Sequence, residues 1–465
     1  TQQGVFITHR IKDKLYYEIP TNMFGKVFLW LVQVSKTEAK QGVIGGYAKK
    51  AYVKFEYLDG HVLIRKLNFD YRADADSNES SVVASSSVGG IIAALKIQSL
   101  GENNAPVVDM SSVFKSDIPE LSAKKKINAD SMDKKRVFIT SVKTFEKNIE
   151  TRVLATYKTK NKSKTFVTAE VHHSILKMPE SPMRIRFKDN RIGFLSTNYY
   201  DFSSPKGAVE EKKIIKRFRL EKKYPKAKLS EPVKPIVYYI GRGVPQKWHQ
   251  SIKEGIEAWQ VAFEEAGFKN AIIAKIAPNK KEAPDWDEED ARYSTIRWIP
   301  STSNNAMGPN IFDPRTGEVI VSDILIKSNL LSRYIRTYFV QMGAVDPRAS
   351  MDPLPDDLLE KMMRKVVTHE IGHAIGLLHN RQASSTYPIE KLRDANFVNE
   401  YGIFASVMDY ARFNYIAQPG DNVPSVPTAL GPYDKFAIEW GYKEFPKTKN
   451  PQEDAPYLNH IADRQ

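Results

Sequence analysis

The chain has 465 residues, 42% hydrophobic and 27% charged, so it can bury more than one core and is not disordered overall. It has no cysteine, which excludes disulfides, zinc–thiolate sites and latency through a metal-blocking thiol. The net charge of +14 is uneven, +18 over residues 1–230 and −4 over residues 231–465, which suggests a boundary near 230.

The basic half carries no nucleic-acid motif, so no nucleic-acid partner is expected. Its lysines read as solvated strand faces, with binding to an anionic glycan or surface as the alternative. No transmembrane segment is expected: the longest uncharged run, residues 80–95, is short and serine-rich. Thr1 opens without a basic and apolar leader, so no signal peptide is expected in this chain.

In chain order, residues 14–20 and 27–35 are aromatic and β-branched runs that predict strands. Residues 51–57 and 61–67 flank Asp59-Gly60, a dipeptide that predicts a tight hairpin. Residues 72–87 are small and polar and read as a loop, and 88–100 fits a strand or a helix. Residues 101–135, with Pro106, Pro119 and lysines at 124–126, read as a connector. Strands resume at 137–145, 151–159 and 164–176. His172 and His173 lie in the last of these. Neighbours in a strand face opposite sides, so they are not expected to chelate as a pair. Residues 183–202 are dense in aromatics and arginines. They read as a hairpin packed on a core, or as a segment beside a functional cleft. Residues 206–228 read as a charged linker.

After this the pattern changes. Residues 236–240 predict a short buried strand. Trp248, Ile252, Ile256, Trp259 and Phe263 then recur at helical spacing, which predicts one long helix over 245–267 with its tryptophans in the core and Gly267 as its stop. Strands are expected at 271–276, 294–298 and 319–326. Residues 305–312 suit an edge strand, because Pro309 cannot donate to a ladder. Residues 326–355 read as a partly helical insertion, after which Asp356 or Asp357 caps a helix running to about Ile375. The fold class is α+β. It has a β-rich N-terminal domain at 1–135, a β-rich segment and charged linker at 136–230, a mixed sheet with helices at 231–446, and a tail at 447–465.

That last helix carries HEIGHAIGLLH at 369–379. Residues four apart share a helix face, so His369 and His373 present two imidazoles to one point, as a zinc ion requires. Gly376 tolerates the left-handed turn that lets the chain swing back, so His379 can give a third ligand and leave one position open. Glu370 is placed to take a proton from a water at the metal. Downstream, at 406–410, lies SVMDY.

The long histidine motif followed by S-x-M-x-Y resembles the metzincin clan of zinc endopeptidases, with matrixin-, astacin- and serralysin-like features. Further matches are RYSTIRW at 292–298 and GPYDKFAIEWG at 431–441, where Asp434 caps or anchors the last helix. More loosely, the chain resembles large bacterial secreted zinc metalloproteases with a β-rich N-terminal domain, which implies an extracytoplasmic location. The resemblance implies one catalytic Zn²⁺ on His369, His373 and His379, with Glu370 as general base. It implies Met408 as a hydrophobic floor beneath the metal, and Tyr410 as a ligand of the metal or the oxyanion. It leaves room for a structural Ca²⁺, for which the sequence has no clean ligand loop. It also implies a protein or peptide substrate bound as an extended strand on Asn305, Ala306, Met307 and Gly308, with a specificity wall from 404–415, Phe404 and Phe413 above all. A carboxylate that blocks the zinc would come from Asp189 or Asp201. The alternative is a catalytically silent scaffold. The intact set of three histidines and Glu370 speaks against it, since degenerate members normally lose one.

Overall fold

The structure is a computed structural model and describes residues 1–38, 44–74, 76–86, 88–159, 165–204, 207–410, 412–426 and 430–464. Ser87, Lys164 and Lys206, which bound three of the expected segments, lie outside the described residues. The chain forms two compact units that are not contiguous in sequence. The first comprises Thr1–Pro182, Tyr199–Glu211 and Glu289–Arg292; the second comprises Met183–Asn198, Lys212–Glu288 and Tyr293–Gln465.

The first unit is built on a ten-stranded antiparallel sheet. Its strands run in the order Ile7–Ile11, Lys14–Glu18, Pro106–Asp109, Ile91–Leu100, His61–Lys66, Tyr47–Leu58, Phe28–Thr37, Phe166–Lys177, Asn148–Thr159 and Ala129–Thr144. The hairpin between Tyr47–Leu58 and His61–Lys66 turns at Asp59 (φ 46°) and Gly60 (φ 73°), the left-handed pair that matches strand twist. Phe6, Phe28 and Phe55 meet at 5.1–5.5 Å between ring centroids and anchor an aromatic core with Trp30 and Tyr17. His172 and His173 face opposite sides as expected. The His172 Nε2 lies 2.8 Å from a Glu150 oxygen, and His173 Nδ1 accepts from Trp30 Nε1 at 3.2 Å.

Three expectations for this half need correction. Residues 78–86 form a helix, Asn78–Ser86, rather than a loop; it buries no residue, so polar composition hid it. The expected connector 101–135 holds the strand Pro106–Asp109, which sits between Lys14–Glu18 and Ile91–Leu100; four residues are too few to show a period. The strand Ala129–Thr144 runs across the expected break at 135.

The second unit has a five-stranded sheet in the order Ile272–Ile276, Ile236–Ile240, Ser294–Ile299, Ile324–Lys327 and Ala306–Met307. The first four are parallel and the last is an antiparallel edge. The expected edge strand at 305–312 breaks at Gly308-Pro309: Asn310–Phe312 leaves the sheet and pairs with Val319–Ser322 instead. The expected strand 319–326 likewise splits at Asp323, whose carboxylate accepts from the Thr295 amide and hydroxyl. The expected long helix is two, His249–Glu257 and Gln260–Glu265, parted where the Trp259 amide reaches Ile256 O at only 3.5 Å. Trp248 and Trp259 are core residues, as their spacing predicted.

Residues 183–195 do not form a hairpin. They lie against the turn that follows the histidine helix: the Leu195 amide donates to Gly376 O at 2.7 Å and the Leu378 amide to Gly193 O at 2.8 Å. Phe194 is wholly buried there, beside Trp440 at 6.0 Å, where glycines at 376 and 441 leave room for its ring. The expected linker is also structured. It contains the strand Glu210–Ile215, and the Arg217 amide donates to Gly317 O at 3.1 Å. The expected tail folds into a helix, Ala455–Ala462, that buries Leu458, Ile461 and Ala462. Truncating Phe194 to Ala should cost about 3–5 kcal/mol in denaturant unfolding, since glycines cannot collapse into the void.

Candidate metal centre

The helix Asp356–Ala374 buries Leu358, Met362, Met363, Val366, Val367 and Ile371 along one face. Pro355 occupies the N-cap, so Asp356 and Asp357 sit in the first turn and complement the helix dipole without capping it. Trp259 Nε1 donates to Thr368 O at 2.9 Å and fixes the helix from behind. At the far end Gly376 takes φ +115°, and the Leu377 amide closes back on Gly372 O at 2.9 Å. The chain can then return His379 to the helix face.

The three imidazoles converge. One ring nitrogen from each of His369, His373 and His379 lies within 4.8 Å of the others, and the Nε2 atoms of His373 and His379 are 3.0 Å apart. Among the described residues this is the one cluster of three or more His, Asp or Glu side chains so placed. His369 Nδ1 donates to Val407 O at 2.7 Å and His373 Nδ1 to Leu377 O at 2.8 Å. Those bonds fix the tautomer and leave each Nε2 lone pair facing the common point. Burial lowers all three, His369 to about 3, aided by the neighbouring imidazoles at His369 and His373 and by Arg381 at His379, so the rings are neutral as metal ligands must be. The residues therefore fit a zinc ion with three nitrogen donors.

Met408 is fully buried beneath this helix, and its sulfur and methyl fill the space where Gly372 has no side chain. A carboxylate fixes the turn that carries it. Asp434 accepts from Ser406 Oγ at 2.6 Å, the Val407 amide at 2.8 Å and the Gly431 amide at 2.9 Å. The last bond caps the helix Pro432–Tyr442, as the sequence suggested. Burial outweighs those donors and pushes Asp434 up to about 6.

A cleft of about 390 Å³ opens on the triad. Glu370 lines it, pushed up to about 7 by desolvation. Tyr410 is half-exposed, with its ring 4.3 Å from that of His379 and its hydroxyl 3.3 Å from His379 Nδ1. Asn305, Ala306, Met307 and Gly308 line the cleft; Phe404 and Phe413 do not. Phe404 is buried under the Lys365 ammonium, and Phe413 stacks edge-on against Tyr338 at 5.0 Å. The residues that stand in their place are Leu330, Arg333 and Tyr334 from the helix Leu330–Met342, with Lys365 and Arg412. Lys365 was legible in principle, four residues before His369 on the same helix face. The helix Leu330–Met342 was not, because nothing in its sequence ties it to the motif. Of the two candidate blocking carboxylates, Asp189 is held by Arg191 at 2.6 Å, and Asp201 in the other unit accepts from Ser203.

Comparison with known families agrees with this geometry. The Met-zincin family model matches residues 351–465, a stretch that holds all three histidines, Glu370, Met408 and Asp434. The C-terminal part carries a Met-zincin domain. A Met-zincin domain suggests zinc metallopeptidase activity, and the triad is compatible with the zinc that it requires. Residues 45–223 and 1–37 match two models described only as domains of unknown function, DUF5117 and DUF5118. No curated protein and no solved structure matches the chain. No helix among the described residues is long and apolar enough to cross a membrane.

Replacing any one of the three histidines by Ala should reduce zinc content, measured by elemental analysis, from about one ion per chain to a small fraction, with the circular dichroism spectrum retained. Asp434→Asn puts an amide where three donors converge. It should lower stability in urea at neutral pH by about 1–3 kcal/mol.

Proposed function

We propose that the chain is a zinc-dependent endopeptidase. The observation that carries this reading is the convergence of three neutral imidazoles beside Glu370, in a cleft bordered by a sheet edge. Zinc held by His369, His373 and His379 supplies a Lewis acid that acidifies water and polarises a carbonyl. Glu370 takes the proton of the attacking water and delivers it to the departing amine nitrogen. Its elevated pKa suits both directions of transfer near neutral pH. Tyr410 offers its hydroxyl to the carbonyl oxygen as negative charge develops there. The substrate lies extended along Ala306–Met307, whose outer side has no strand partner among the described residues, and pairs with it through main-chain hydrogen bonds. Gly308 keeps that strand close to Glu370: a Cβ there would stand 3.4 Å from the Glu370 carbonyl. The complete set of ligands and base favours this reading over a silent scaffold.

The test is Glu370→Gln, which keeps size and shape but cannot accept a proton as a carboxylate does. Proteolysis of an unfolded protein substrate should fall by about a hundred- to ten-thousand-fold while zinc content stays at the native level. Full activity in that variant would sink the general-base assignment. Zinc-loaded native protein that cleaves no peptide bond would sink the endopeptidase reading.

A further inference from the structure

The cleft that holds the neutral histidines and Glu370 is also lined by three basic side chains, Arg333, Lys365 and Arg412. These come from three separate elements but meet in one corner. The Arg412 guanidinium lies 5.0 Å over the Tyr334 ring, and the Lys365 ammonium donates to Arg412 O. Lys365 is half-buried by area yet enclosed by neighbouring atoms, and its ammonium sits 4.6 Å over the Phe404 ring. Among the described residues none of the three is ion-paired with a carboxylate. Asp409, which also lines the cleft, accepts from the Ser384 amide at 2.8 Å. Burial and the neighbouring Arg412 lower Lys365 to about 7, so its charged form is costly there, and that cost falls when a ligand brings the opposite charge.

We propose that this corner binds a carboxylate of the substrate next to the scissile bond, so that the enzyme selects acidic sites. The proposal rests on the endopeptidase reading and names its substrate class. Arg412 and Arg333 supply planar donors that suit a carboxylate, and Lys365 supplies a point charge on the wall nearest the metal ligands. Tyr334 and Leu330 give the corner an apolar side that receives the stem of an Asp or Glu side chain. A peptide's own C-terminus offers the same group, and the experiment separates the two sources.

Peptide pairs differing only in Glu against Gln, or Asp against Asn, on either side of one cleavable bond are made with free and with amidated C-termini. Cleavage by the zinc-loaded native chain is read by mass spectrometry. The acidic member should be cut about ten-fold or more faster, as expected for a charge-assisted contact. A faster acidic member places the carboxylate on a side chain, and equal cleavage of both members that drops about ten-fold on amidation places it on the chain end; either supports the pocket. Lys365→Met and Arg412→Gln should each flatten the preference. Arg333→Gln, on an exposed helix face, serves where a buried substitution impairs folding. Equal cleavage of both members by the native chain that amidation leaves unchanged, or an intact preference in all the variants that fold, would overturn the proposal. The same pairs are titrated against the Glu370→Gln protein by fluorescence anisotropy. Binding that does not distinguish Glu from Gln overturns the carboxylate pocket independently of catalysis. Acid-selective binding without any cleavage by the native chain supports the pocket and counts against the endopeptidase reading alone.

Discussion

One buried carboxylate holds the metal centre in register. Asp434 ties the Ser406 hydroxyl and Val407 amide to the first turn of the helix Pro432–Tyr442. The carbonyl of the same residue, Val407, then holds the His369 ring. A ligand's tautomer thus depends on an acid 65 residues away in sequence, through two hydrogen bonds. The floor depends on it as well, because Met408 follows Val407 and fills the notch at Gly372. Removing the carboxylate would leave three donors without an acceptor in a dry place, which is why its desolvation is tolerated.

The histidine cluster was legible because it is local. Two histidines one helical turn apart, a glycine at the helix end and a third histidine beyond it sit within eleven residues, and backbone geometry alone brings them together. Met408 and Tyr410 were legible only through resemblance, since no spacing rule places a methionine 29 residues downstream under a helix. The walls of the cleft were harder. Phe404 and Phe413 look like pocket residues by sequence position, yet large apolar side chains near a turn are drawn into the core, and both are buried. What faces solvent in their place is Arg412, a neighbour of Phe413 in the chain.

The same contrast runs through the fold. Long strands with clear alternation and a strong turn dipeptide were readable, as in Tyr47–Leu58 and His61–Lys66. Elements that owe their structure to distant partners were not. Residues 183–195 have no regular period because many of their hydrogen bonds go to distant partners, among them Gly376, Leu378, Tyr433 and Trp440. The strand at 305–312 was read as one because a proline on an edge is ordinary; in fact it marks where the chain leaves one sheet for another.

The chain crosses between its two units five times, at about 182, 198, 211, 288 and 292. The change of charge near residue 230 is therefore not a seam. A nick there would leave Phe194, Arg217 and the strand Glu210–Ile215 on the wrong fragment, and with them the backing of Gly376 that lets His379 return to the metal. The two halves are threaded rather than joined end to end, so neither is a cassette that evolution or a protease could lift out with one cut.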